Sequence, residues 1–102
     1  MAKKQAFLDA EFAETFEVAY AKLQTPQQSA CDKVIMALLK RQPTPGMRVK
    51  PIEPDKYYYE ARINDGDRLV HRTNDGTLFV YDVVTHDKIG TYGRRPKKDA
   101  KR

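Results

Sequence analysis

The residues whose types and spacing could do chemistry here are basic ones on strand-like segments. Arg62, Arg68 and Arg72 fall on one face of a predicted sheet, and Arg48 and Lys50, two apart, point to one side of the segment before it. A guanidinium offers fixed donors that match phosphate oxygens and stays charged at any working pH. The other reading is an ordinary solvated face, with Arg68 satisfied by Asp82 and Arg62 by Glu60 or a neighbouring acid. His71 and His86 are the two imidazoles. His71 sits among apolar neighbours and reads as a core residue. His86 ends the last strand-like run, where side chains reach a cleft, and Asp87 beside it suits a turn. The sequence has no glycine-rich phosphate loop, no Cys-x-x-Cys, no His-Glu-x-x-His and no Gly-x-Ser-x-Gly.

The elements that must position these groups read as α+β, in the order β-α-α-β-β-β-β. Phe12, Phe16, Ala19, Tyr20 and Leu23 make the stripe of an amphipathic helix, with Asp9 as its expected N-cap. Thr25 caps a second helix whose first position is Pro26, and Ala30, Val34, Ala37, Leu38 and Arg41 continue one face of it. So short a connection predicts an antiparallel helix hairpin. A short edge strand is expected over Gln5 to Leu8. Pro43-Thr44-Pro45-Gly46 closes the helical half.

Asn-Asp-Gly occurs at Asn64–Gly66 and again at Asn74–Gly76. These turns divide the second half into strands at about 57–63, 67–73 and 77–85, with a further strand expected at 48–52. Three-residue loops put Arg62 opposite Arg68 and Arg68 opposite Asp82, on a face shared with Glu60, Val70, Arg72, Leu78 and Val80. The opposite face, carrying Tyr59, Ala61, Ile63, Leu69, His71, Phe79, Tyr81 and Val83, is the one expected to receive the helices. Two-residue loops would change the cross-strand partners but leave the alternation along each strand.

The chain has 102 residues, the size of one domain, and 40% are hydrophobic. Residues 1–93 read as that domain and 94–102 as a basic, flexible tail. The formal net charge is +5, and the tail alone, with six bases and one acid, accounts for it. A basic tail binds phosphate by counterion release, or simply solubilises the chain. One cysteine, Cys31, leaves no disulfide framework and too few thiols for a structural zinc site. No run of 18 apolar residues and no apolar leader are present, so a soluble cytoplasmic protein is expected.

From about Phe12 to Tyr92 the chain resembles the RelE/ParE superfamily of bacterial toxins. The resemblance rests on Ala21-Lys22-Leu23, on Pro45-Gly46-Met47-Arg48-Val49-Lys50-Pro51-Ile52, and on Tyr58-Tyr59-Glu60-Ala61-Arg62-Ile63-Asn64-Asp65-Gly66. Asp67-Arg68-Leu69-Val70 and Thr85-His86-Asp87 complete it, with Asp67 placing a carboxylate directly before Arg68.

The resemblance implies a twisted antiparallel sheet with a helix hairpin on one face. It also implies the toxin of a type II toxin–antitoxin system, a ribosome-dependent mRNA endoribonuclease with a cognate antitoxin as partner. In that family the RNA 2′-hydroxyl attacks the neighbouring phosphate, so no metal and no other cofactor is implied. Arg68 maps onto the residue that stabilises the transition state, and His86 and Tyr92 onto the general acid or orienting group. Glu60 or His86 would be the base, and Arg48, Lys50, Arg62 and Arg72 would hold RNA. A ParE-like inhibitor of DNA gyrase and a degenerate binding relative are the alternatives, since a shared fold does not decide between them.

Overall fold

In a computed structural model, which describes residues 7–94, the chain opens with β1 (Asp9–Phe12), followed by α1 (Glu14–Ala21) and α2 (Thr25–Leu39). A 3-10 turn over Pro45–Met47 leads to β2 (Lys50–Pro51), β3 (Tyr59–Arg62), β4 (Asp67–Asn74) and β5 (Thr77–Thr85). A C-terminal 3-10 segment, His86–Gly93, ends the described chain. The five strands form one sheet in the order β1-β5-β4-β3-β2. β2 to β5 are an antiparallel meander, and β1 adds to β5 in parallel. The architecture is the expected α+β one, with a single parallel pair at its edge.

The N-terminal boundary differs from the sequence expectation. Asp9–Phe12 was expected to cap and begin a helix, with the edge strand before it. Instead the open edge of β5 captures these residues: Asp9 N–H donates to the Gly76 carbonyl at 3.0 Å and Ala13 N–H to Val80 at 2.9 Å. Inter-strand pairing over four residues outweighs the helical stripe, and α1 starts at Glu14 with Ala13 as its N-cap. Phe12 still stacks on Phe16, ring centres 5.4 Å apart. Of the expected strand, Gln5 and Ala6 lie outside the described residues, as do residues 95–102 of the tail. In α2 the cap is Gln24 rather than Thr25, in a reciprocal capping box with Gln27.

Register follows from the turns and one bulge. Asn64-Asp65-Gly66 is a three-residue loop, and Arg62 faces Arg68 as expected. The second turn is not: Asn74 pairs with Thr77, leaving a two-residue loop of Asp75 (φ 51°) and Gly76 (φ 79°). Positive φ at both central positions matches the right-handed strand twist. A bulge opposite Val70/His71 then adds one residue to β5. Together they put Arg68 opposite Val84, and Asp82 opposite Val70, correcting the expected Arg68–Asp82 pairing.

The shorter turn inverts the expected faces of β5 up to the bulge, and the bulge restores them from Asp82 onward. Leu78 (0% exposed) and Val80 (1%) join Ala61, Leu69 and Val83 under the helices, packed with Phe16, Val34 and Leu38. Phe79 and Tyr81, expected in that core, lie on the opposite face with Arg72. Val70 also faces that side and is fully buried, where the C-terminal 3-10 segment covers β4 and β5. Gly93 closes this cover. An added Cβ there would stand 2.1 Å from the Glu53 carbonyl oxygen, and the Gly93 carbonyl accepts the Asp55 N–H at 2.8 Å.

Candidate phosphate-binding site

The site is built on the β3–β4 turn. Asn64 Oδ1 accepts the N–H groups of Gly66 (2.9 Å) and Asp67 (2.8 Å), a side chain standing in for a backbone turn. This winding aims carbonyls of the turn at one guanidinium. Arg68 Nη1 donates to the carbonyls of Asn64 (2.8 Å) and Asp67 (3.0 Å), with Asp65 at 3.3 Å. Its Nε lies 3.8 Å from Glu60 Oε1, both side chains being only 13% exposed. Its Nη2 lies 3.1 Å from His86 Nδ1. Arginine has no acceptor, so Nδ1 receives this hydrogen bond and the neutral ring carries its proton on Nε2. The His86 N–H bonds the Gly66 carbonyl at 2.8 Å, so one turn seats both residues.

Asp67 does not neutralise Arg68. Its Oδ2 accepts from Gln27 Nε2 (3.1 Å) and Asn64 Nδ2 (3.0 Å), tying the start of α2 to the turn. Sequence reasoning passed over this bracing; the Asn-Asp-Gly signal located the turn but carried no sign that Gln27, forty positions away, would complete it.

Arg48, Lys50, Glu60, Arg62, Arg68 and His86 line one cavity of about 370 Å³. Four bases and one carboxylate give its wall a net positive charge, which favours an anion. Arg48 holds left-handed backbone (φ 47°, ψ 50°) just after the 3-10 turn, an arrangement costing roughly 1–2 kcal/mol for a side chain with a Cβ. Arg62 pairs with the exposed Asp65, a neighbouring acid as the alternative reading allowed. The cavity therefore gathers six of the eight residues expected at the site.

The other two lie elsewhere. Arg72 is on the same sheet face but further along β4, its guanidinium carbon 4.4 Å from the centre of the Tyr57 ring. Tyr92 does not line the cavity: its hydroxyl donates to Asp82 Oδ2 at 2.6 Å and its ring meets Tyr58 edge-on. Burial, then the Asp82 carboxylate, push the Tyr92 phenol well above its ordinary pKa. Asp82 Oδ1 also accepts the Val83 N–H at 2.8 Å, so this pair fixes the end of the 3-10 segment that His86 begins. His71 is the core residue expected, 3% exposed on the helix-facing side.

No family model matches the chain, and no curated protein matches it at a significant level. Solved structures do match. A copper-bound mutant toxin from Helicobacter pylori superposes with a TM-score of 0.70 at 22% identity, covering 79% of this chain and 97% of that one. YafQ from Escherichia coli gives 0.69 at 15% identity, covering 78% and 94%. The RelBE2 toxin–antitoxin complex from Mycobacterium tuberculosis gives 0.63 at 22%, covering 78% and 99%. The Helicobacter pylori neighbour is a toxin, YafQ and RelBE2 belong to toxin–antitoxin complexes, and this chain shares their fold.

Proposed function

We propose that this protein is the toxin of a type II toxin–antitoxin system and cleaves mRNA on the ribosome. The observation that carries the reading is the single cavity in which Arg68 touches His86 and faces Glu60, with Arg48, Lys50 and Arg62 around them. A phosphodiester entering it meets four cations, with a carboxylate and an imidazole on the same wall.

In the proposed reaction Glu60 accepts the proton of the RNA 2′-hydroxyl, whose oxygen attacks the adjacent phosphorus. Phosphate draws Arg68 Nη2 away from His86 Nδ1, which takes a proton from solvent. The imidazolium then gives its Nε2 proton to the departing 5′-oxygen as the P–O5′ bond breaks. The products are a 2′,3′-cyclic phosphate and a 5′-hydroxyl. Arg68, its Nη1 held by the turn carbonyls while Nη2 turns from His86 to the phosphate, meets the charge of the five-coordinate state. A cognate antitoxin, as in the complexes of DinJ with YafQ and of RelBE2, is the expected partner.

The test is controlled expression in a bacterial host with mapping of transcript 5′ ends. The wild type should arrest growth and create new ends inside coding regions, while Arg68→Ala and His86→Ala do neither and remain folded. Growth arrest without new ends, accompanied by a DNA-damage response, would contradict the nuclease and favour a gyrase inhibitor.

A further inference from the structure

Beyond Val70, which the C-terminal 3-10 segment covers, the sheet face that carries the phosphate cavity bears a strip of aromatic rings. Arg72 follows Arg68 and Val70 on that face of β4 and pairs with Phe79 across to β5. The Tyr57 ring lies against the Arg72 guanidinium, 4.4 Å from its central carbon. The Phe79 and Tyr81 rings are near-parallel, 24° apart with centres separated by 6.5 Å. All four side chains are half-buried, Arg72, Phe79 and Tyr81 on strands and Tyr57 on the bend before β3, so each keeps part of its surface in water. The two-residue turn at Asp75-Gly76 sets Phe79 opposite Arg72 on this face, and a three-residue loop would have sent Phe79 and Tyr81 into the core.

We propose that Tyr57, Arg72, Phe79 and Tyr81 form a base-stacking subsite for single-stranded RNA whose backbone enters the phosphate cavity. This rests on the cavity binding a phosphodiester, as argued above. Three features favour RNA over an apolar occupant. The strip shares a sheet face with a cavity lined by four bases. Its own charged group, Arg72, already lies against a ring, an arrangement that accepts the π-face of a base as readily as that of a tyrosine. The spacing also fits. Arg68 and Arg72 are four strand residues apart, about 13 Å, which a stacked strand covers in about four nucleotides and an extended one in about half that number. The strip would thus read bases flanking the scissile bond, by stacking and with little sequence preference.

The experiment uses the full chain and 2′-O-methyl oligoribonucleotides, which cannot undergo 2′-hydroxyl attack. Affinities for a dinucleotide, a hexanucleotide and a hexanucleotide abasic away from its central phosphate are read by anisotropy. The chain has six tyrosines and no tryptophan, so quenching of tyrosine emission reports ring contact directly. The wild type should bind the hexanucleotide about 5- to 100-fold tighter than the dinucleotide and show quenching. Tyr57→Leu and Phe79→Leu should lose most of that gain while binding the dinucleotide and the abasic strand as the wild type does, and Tyr57→Trp should keep it. Arg68→Gln should weaken all three ligands.

If the variants bind the hexanucleotide like the wild type, or weaken it and the abasic strand equally, the stacking subsite is overturned and the cavity stands. If Arg68→Gln leaves dinucleotide binding unchanged, the cavity reading itself fails.

Discussion

His71 lies on the helix-facing side of β4, 3% exposed, and neither ring nitrogen has a hydrogen-bond partner among the described residues. Its nearest ring neighbour is Tyr59, 6.2 Å away between centres. Burial disfavours the charged form, so the imidazole pKa falls from 6.5 to about 4. Above the unfolded value, near pH 6.5, both states hold a neutral ring and pH has no effect through this group. Between 6.5 and 4 the unfolded chain binds the proton and the folded one does not, so stability falls as pH falls. The 2.5-unit difference, at 1.36 kcal/mol per unit, amounts to about 3 kcal/mol lost by pH 4.

His71→Leu removes both the titration and two unpartnered polar atoms. At pH 7 the variant should match or exceed the wild type, since a buried polar group without a partner costs roughly 1–3 kcal/mol. Urea unfolding followed by circular dichroism, stepped from pH 7 to pH 4, measures both proteins. Carboxylates common to the two cancel in the difference, which should widen by about 3 kcal/mol across that window. A difference that stays constant between pH 7 and pH 4 would refute the reasoning.

Three further outcomes follow from named contacts. Gly93→Ala sets a Cβ 2.1 Å from a backbone carbonyl, so the 3-10 segment must shift; a loss of about 1–3 kcal/mol, read as a lower Tm, is expected. Tyr92→Phe removes the donor to Asp82, itself 9% exposed, and should cost about 1–3 kcal/mol by urea titration while growth arrest persists, because Tyr92 lies outside the cavity. Arg68→Lys keeps the charge but not the fork held by the turn carbonyls, and transcript cleavage should fall at least about tenfold with the Tm little changed.

Much of this was legible before any coordinates. The strands at β3, β4 and β5, the three-residue loop at Asn64 and the pairing of Arg62 with Arg68 came from alternation and turn chemistry, which are local. The N-terminal strand was expected at Gln5 to Leu8, and its place at Asp9–Phe12 was not legible because those residues pair with β5 more than sixty positions away. The bulge was equally hidden. No residue type announces one extra residue in β5, yet it decides that Val83 is core and Asp82 is not, while the two-residue turn decides that Leu78 and Val80 are core and Phe79 is not. At the site the charges were readable from residue types and spacing. Tyr92 was carried over by resemblance, and the hydroxyl of this chain is bonded to Asp82 instead.

The most direct test programs purified ribosomes with a short mRNA, adds the protein, and determines both new termini. With wild type, cuts should appear in the codon at the vacant site, leaving a 2′,3′-cyclic phosphate upstream and a 5′-hydroxyl downstream, and Glu60→Gln should abolish them. Intact message, or cuts that Glu60→Gln makes just as fast, would contradict the account.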